Sequence, residues 1–254
     1  MSRYPAMVWL DLDDTLFDHC YSVGRGLEWL GQKFTRFSSH PTEELVRLYN
    51  IALDEVYPDY LRGSIDFTEM RRRKLERFYF QAGICQTEAP DTATFHRIYD
   101  EGYLRDRRAT AGSLAGVQRL RDLGIEVAVL TNGMRQIQEE KLRIIGFESL
   151  VPHLLTSEEA GAAKPDARIF QWALQKTKKR AQDVVMIGDN PVNDIAGACN
   201  AGIRAIYYSP RATDQTIATE SGPVTVLSQW NQISDVLLRS APVSQPAQAV
   251  ASES

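Results

Sequence analysis

Three short apolar runs, each breaking off at polar residues, limit the folds open to this chain. Met7-Val8-Trp9-Leu10 runs into Asp11-Leu12-Asp13-Asp14, residues 125–130 run into Thr131-Asn132-Gly133, and residues 184–187 run into Gly188-Asp189. Short apolar runs bounded by turn residues suit strands buried on both faces. Helical patterns separate them: 113–123 closed by Gly124, 139–145 stopped by Gly146, 165–176, and 195–200 closed by Gly202. Residues 154–156, 203–207 and 224–227 read as further strands, and 228–238 as a last helix. Strands alternating with helices predict an α/β fold with a parallel sheet and right-handed crossovers. In such a sheet the C-terminal strand ends share one edge, where ligands bind.

Residues 20–105 read differently. Leu27, Trp29, Leu30 and Phe34 lie at helical spacing, as do Leu45, Leu48, Ile51 and Leu53, then Met70, Leu75, Phe78 and Tyr79. No strand alternation interrupts them, so a helical insertion is expected there. The run Arg71-Arg72-Arg73-Lys74 could attract an anionic substrate, but with Glu69 and Glu76 balancing it the run reads first as a solvated helical face. Tyr57, Tyr60, Phe67 and Phe78 read mainly as helical packing. His19 falls close after the first acidic cluster and reads first as a hinge or helix-cap histidine, with a pocket edge as the alternative. The segment 241–254, rich in Ser, Ala, Pro and Gln, is expected to be disordered.

The formal charge of −4 over 254 residues excludes the basic excess of a general nucleic-acid binder. Cys20, Cys85 and Cys199 form no CxxC pair or zinc pattern and are expected to be reduced, buried thiols. The N-terminus turns acidic after a very short apolar run, unlike a signal peptide. No stretch approaches the roughly 18 apolar residues of a membrane span. The expectation is a cytoplasmic protein, monomer or homodimer, with no membrane and no nucleic-acid polymer as partner.

Taken singly, each polar cluster is an ordinary loop feature; placed on one sheet edge, the clusters fit phosphoryl transfer. Magnesium takes one or two carboxylates together with phosphate oxygens and waters. Asp11 and Asp189 can supply them. A carboxylate can also attack phosphorus to give an aspartyl phosphate. Asp13, two residues along, points to the same side as Asp11 and can protonate the leaving alcohol. The Thr131 hydroxyl and the Asn132 backbone N–H can hold phosphate oxygens, and Lys164 adds a positive charge against the transferring group.

These residues resemble, in order, the four motifs of the haloacid dehalogenase superfamily: DLDDTLF from Asp11 to Phe17, VLTNG ending in Thr131-Asn132-Gly133, Lys164 in GAAKPDARIF, and GDNPVND through Asp189 and Asp194. The resemblance spans nearly all of the chain before the tail. It implies a Rossmann-like three-layer core over 1–17 and 106–240, with a helical cap inserted at 18–105. It implies that Asp11 is the nucleophile and a magnesium ligand. Asp13 would be the general acid/base, its backbone carbonyl a second ligand. Asp189 would ligate magnesium, and Asp194 would support the metal site through water or Lys164. Thr131, Asn132, Lys164 and the backbone N–H of Leu12 would bind phosphate. Dehalogenases of the family lack an aspartate at the position of Asp13, so its presence implies a phosphomonoesterase or a phosphomutase. A member that had become a non-catalytic interaction module should have lost a motif residue, and none is lost. The segments VLTNGMRQIQEEKLRIIGF and SEEAGAAKPDARIF resemble the branch of pyrimidine nucleotidases and N-acylneuraminate-9-phosphatase. The substrate implied is a small phosphorylated metabolite, a nucleoside 5'-monophosphate first.

Overall fold

The structure, a computed structural model, describes residues 4–239; the tail at 241–254 lies outside them. The described residues divide into two compact units, one joining residues 4–17 to 109–239, the other Asp18–Arg108.

The first unit is built on seven strands: β1 (Met7–Leu10), β2 (Glu126–Thr131), β3 (His153–Thr156), β4 (Val184–Gly188), β5 (Arg204–Tyr208), β6 (Thr216–Thr219) and β7 (Gly222–Leu227). Their order is β3-β2-β1-β4-β5-β7-β6, parallel throughout except for the antiparallel β6–β7 pair. The edge strand β6 carries no long apolar run, which is why its sequence reads as a loop. β1 lies inside the sheet between β2 and β4, with Leu10 beside Val129 on one side and Ile187 on the other. All four β1 residues are fully buried. Met7 and Trp9 pack on one face with Ala128, Leu130, Met186, Ile169 and Phe170. The Trp9 indole N–H donates to the Met7 sulfur at 3.1 Å, so the buried donor keeps a partner.

The helices of this unit differ from the sequence reading at their ends, where capping decides. The helix expected at 139–145 begins four residues earlier, at Arg135, and ends at Ile144; the Arg135 N–H donates to Glu158 at 2.8 Å, a cap supplied from elsewhere in the chain. The helix expected at 165–176 spans Ala167–Thr177, because the Asp166 carboxylate accepts from the Arg168 N–H. Asn190 caps the wide turn Pro191–Ala196, which runs into Gly197–Asn200. The last helix is Ile233–Arg239.

The second unit is helical: α1 (His19–Gly31), α2 (Thr42–Leu61), α3 (Phe67–Gln81) and α4 (Thr92–Arg105). Asp18, Asp66 and Asp91 cap α1, α3 and α4. Leu27, Leu30, Leu48, Phe78, Phe95 and Tyr99 are part of its core. The unit extends to Arg108, because the Asp18 N–H donates to the Arg108 carbonyl at 3.0 Å and the Arg108 guanidinium pairs with the Asp18 carboxylate at 2.8 Å. Helical periodicity splits the basic run. Arg72 and Arg73 face solvent, paired with Glu69 and, for Arg72, Glu76. Arg71 and Lys74 are half-buried instead, so the solvated-face reading holds for half of the run. His19 belongs to this unit, its Nδ1 3.0 Å from the Tyr103 hydroxyl. The three cysteines are free but none is fully buried: Cys20 and Cys199 are half-buried, and Cys85 is exposed, since it opens the turn between α3 and α4. Among the described residues no helix is long and apolar enough to cross a membrane.

Candidate active site

Parallel register brings the three strand ends together. Asp11 follows β1, Thr131 closes β2, and Asp189 follows β4. Beyond β1 the backbone turns sharply: the Leu12 carbonyl accepts from both Leu16 N–H and Phe17 N–H, and Asp14 takes a left-handed φ of 59°. Asp tolerates that conformation better than most residues. The turn buries the Leu12 side chain completely, so its backbone is what it can offer a ligand.

Lys164 is the hub. Its ammonium, 2% exposed, donates to Asp11 Oδ1 at 2.6 Å, Asp194 Oδ1 at 2.6 Å and the Leu130 carbonyl at 2.8 Å. All three of its donors are used. Burial works against the ammonium, but Asp11 and Asp194 outweigh it and hold Lys164 above the usual lysine range. Asn132 locks the lysine in place: its side-chain oxygen accepts from the Lys164 N–H at 2.8 Å and its amide donates to the Lys164 carbonyl at 3.0 Å. The Asn132 side chain is therefore committed to Lys164, and only its backbone remains for a phosphate.

Asp11, Asp189 and Asp194 bring carboxylate oxygens within 4.8 Å of one another. Burial first, then the neighbouring carboxylates, push Asp11 and Asp189 above the ordinary carboxylate range; Lys164 pulls Asp11 back. Three carboxylates against one ammonium leave two negative charges, the amount that one divalent cation balances. The residues present fit magnesium: hard oxygen donors, buried, in charge excess. Thr15 orients Asp189, accepting its N–H at 3.1 Å and donating to Oδ1 at 3.3 Å. The other Asp194 oxygen accepts from the Asn190 N–H at 3.0 Å. Gly188 is required here, since a Cβ at that position would fall 2.2 Å from Asp194 Oδ2.

The carboxylate of Asp13 stands apart from that trio. Lys141 donates to both its oxygens, at 2.6 and 2.7 Å. Lys141 lies on α6 of the Rossmann-like unit (Arg135–Ile144, with Ser113–Asp122 counted as α5), and one turn earlier on the same helix Gln138 reaches Thr131. The buried Gln138 amide donates to Thr131 Oγ1 at 3.0 Å and to the Asn132 carbonyl at 2.9 Å. Thr15, Gln138 and Lys141 were not singled out by sequence reasoning. The sequence pattern carries no signal for the helix pair: that α6 buries Gln138 and Lys141 along with Leu142 while exposing Ile137 and Ile144 shows only in the folded chain.

Comparison with known proteins places the chain in a family. Residues 6–202 match the family model of the haloacid dehalogenase-like hydrolases. A ribulose-1,5-bisphosphate 5-phosphatase of Halopiger xanaduensis is 29% identical, over 84% of this chain and 88% of its own. A phosphoserine phosphatase of Thermus thermophilus is 30% identical, over 78% and 86%. A pyrimidine 5'-nucleotidase of Escherichia coli is 22% identical, over 91% and 97%. Among solved structures, the HAD-hydrolase YfnB of Bacillus subtilis superposes with a TM-score of 0.71 over 93% of this chain and 99% of that one; at 19% identity this is a likeness of fold. A family model covering most of the chain, on the fold and strand-end chemistry described above, settles the classification: the chain belongs to the haloacid dehalogenase-like hydrolases.

Proposed function

We propose that this protein is a magnesium-dependent phosphatase that hydrolyses a small phosphomonoester through an aspartyl phosphate on Asp11. The observation that supports it best is the buried Asp11 carboxylate, with one oxygen fixed by Lys164 at 2.6 Å and a second carboxylate, Asp13, two residues away. The phosphatase relatives support the reaction class.

In this reading Lys164 holds Asp11 Oδ1 and leaves Oδ2 for phosphorus. Asp11 attacks, the ester P–O bond breaks, and Asp13 gives its proton to the leaving alkoxide. Water then attacks the phosphorus of the aspartyl phosphate and gives a proton to Asp13. The P–O bond to Asp11 breaks and its carboxylate is regained. Lys141, donating to both Asp13 oxygens, holds the acid/base in position for both steps. The Thr131 hydroxyl and the backbone N–H groups of Leu12 and Asn132 take phosphate oxygens. Asp11, Asp189 and the Asp13 carbonyl would hold magnesium, with Asp194 in support; bound there, the ion neutralises charge on the transferring phosphoryl group.

A nucleoside 5'-monophosphate is the first substrate to try, followed by sugar phosphates and phosphoserine. Phosphate release is measured for each with and without magnesium. Magnesium-dependent release with one favoured substrate is expected. Isomerised sugar phosphate without free phosphate would overturn the reading in favour of a mutase.

A further inference from the structure

The helical unit contains a second polar cluster. The Tyr79 hydroxyl donates to the Pro90 carbonyl near the connection between α3 and α4. Farther from that connection, Arg71 of α3 pairs with Asp100 of α4 at 2.9 Å. The two helices therefore run antiparallel. One turn from Arg71 toward the connection stands Lys74, and one turn from Asp100 in the same direction stands His96. Residues one helical turn apart share a face, so Lys74 and His96 meet at the same level. Tyr49 of α2 closes the cluster: the Lys74 ammonium lies 3.9 Å from the centre of its ring, which stacks on Phe95.

Two of these groups are buried without a hydrogen bond. His96 is 8% exposed and neither ring nitrogen makes a well-formed hydrogen bond, with the Arg71 backbone beside it; Tyr49 is 2% exposed and its hydroxyl makes none, with Tyr99 beside it. Lys74 forms no ion pair among the described residues. Burial, with Arg71 beside it, presses Lys74 down to about 7. Burial and the charges of Arg71 and Lys74 press His96 down to about 3. Buried polar groups are nearly always hydrogen-bonded, and two unsatisfied ones beside a half-buried ammonium call for an occupant. Water could accept their hydrogen bonds but would not balance the charge. Asp100 pairs directly with Arg71 and acts on Lys74 only at longer range, so two cations share one carboxylate.

We propose that Lys74, His96 and Tyr49, with Arg71 beside them, form an anion-binding site in the helical unit for a carboxylate or phosphate group. An anion there gives the ammonium a counter-ion and gives the imidazole N–H and the phenol an acceptor. The binding claim does not depend on the catalytic reading. The group can belong to the substrate, as a second anionic centre, or to a separate small anion.

The test is histidine ring NMR of the full chain during titration with inorganic phosphate. The chain has four histidines, and His96→Phe assigns the signal. The His96 resonance is expected to shift saturably. Lys74→Met should raise the midpoint at least tenfold, and Tyr49→Phe, which removes only a hydroxyl, by a few-fold. A His96 signal that does not move, or midpoints unchanged in both variants, would overturn the site and leave Lys74 as packing on Tyr49. Steady-state kinetics separates the sources. Competitive inhibition by phosphate that Lys74→Met weakens assigns the site to the substrate's own second anionic group. An effect at saturating substrate that Lys74→Met abolishes assigns it to a separate anion.

Discussion

Lys141 grips both carboxylate oxygens of Asp13, at 2.6 and 2.7 Å, across 128 positions of sequence. The ammonium also lies 5.3 Å from the centre of the Phe17 ring, so it is held on two sides. The pair fixes where the proposed acid/base stands. Lys141→Met should lower kcat by about tenfold to a hundredfold for alkyl phosphates, whose leaving groups need a proton. Turnover of p-nitrophenyl phosphate, which needs none, should fall far less. Asp13→Asn should show the same leaving-group pattern, and the double variant should be no worse than Asp13→Asn. Equal losses on both substrates would mean that Lys141 acts on something other than Asp13.

Lys164→Met should destabilise the Rossmann-like unit as well as silence it. The substitution leaves Asp11 and Asp194 buried without their shared counter-ion. Breaking a buried pair in this way costs about 3–5 kcal/mol. Urea denaturation followed by tryptophan fluorescence should show the loss, since Trp9 lies in this core. Unchanged stability would mean that the lysine is not buried between the two carboxylates.

The pH dependence of stability has a definite sign. The carboxyls of Asp11 and Asp189 are raised, so without metal the folded state keeps protons that the unfolded chain releases near pH 4. Their contribution is full below that pH and is lost as pH rises through the raised values. Metal needs the ionised forms, so its affinity climbs over the same window. Magnesium should therefore raise Tm more at about pH 8 than at about pH 5. Asp189→Asn should flatten the metal-free trend and remove most of the magnesium effect. A larger magnesium shift at the lower pH would contradict the assignment.

Gly188→Ala tests the packing behind the carboxylates. Its Cβ would fall 2.2 Å from Asp194 Oδ2, so β4 or Asp194 must move. Phosphatase activity should drop by about a hundredfold or more, since small displacements of catalytic groups cost that much. Circular dichroism should retain the α/β signature. Full activity would mean that the position of Asp194 does not matter.

Much of this architecture was legible in the chain because buried parallel strands announce themselves. MVWL, VAVL and VVMI could hardly be anything else, and each hands a polar residue to the same edge. The edge strand β6 was not legible, since TIAT carries no burial pattern of its own. The site divides in the same way. Asp11, Asp13, Thr131, Lys164 and Asp189 stand at strand ends or next to a helix start, where spacing exposes them. Lys141 and Gln138 act from the buried side of a helix, and Thr15 from within a tight turn, so only the folded chain shows what they touch. The split of Arg71 and Lys74 from Arg72 and Arg73 was readable from helical periodicity, but the unpaired state of His96 depends on α4 packing against α3.

The central claim is that phosphorus becomes bonded to Asp11. Rapid acid quench during turnover of the favoured substrate, followed by peptide mass mapping, tests it most directly. The account predicts a phosphoryl adduct on the peptide carrying Asp11, absent in Asp11→Asn, which should also release no phosphate. Steady phosphate release by a folded Asp11→Asn protein, or an adduct on another residue, would contradict it.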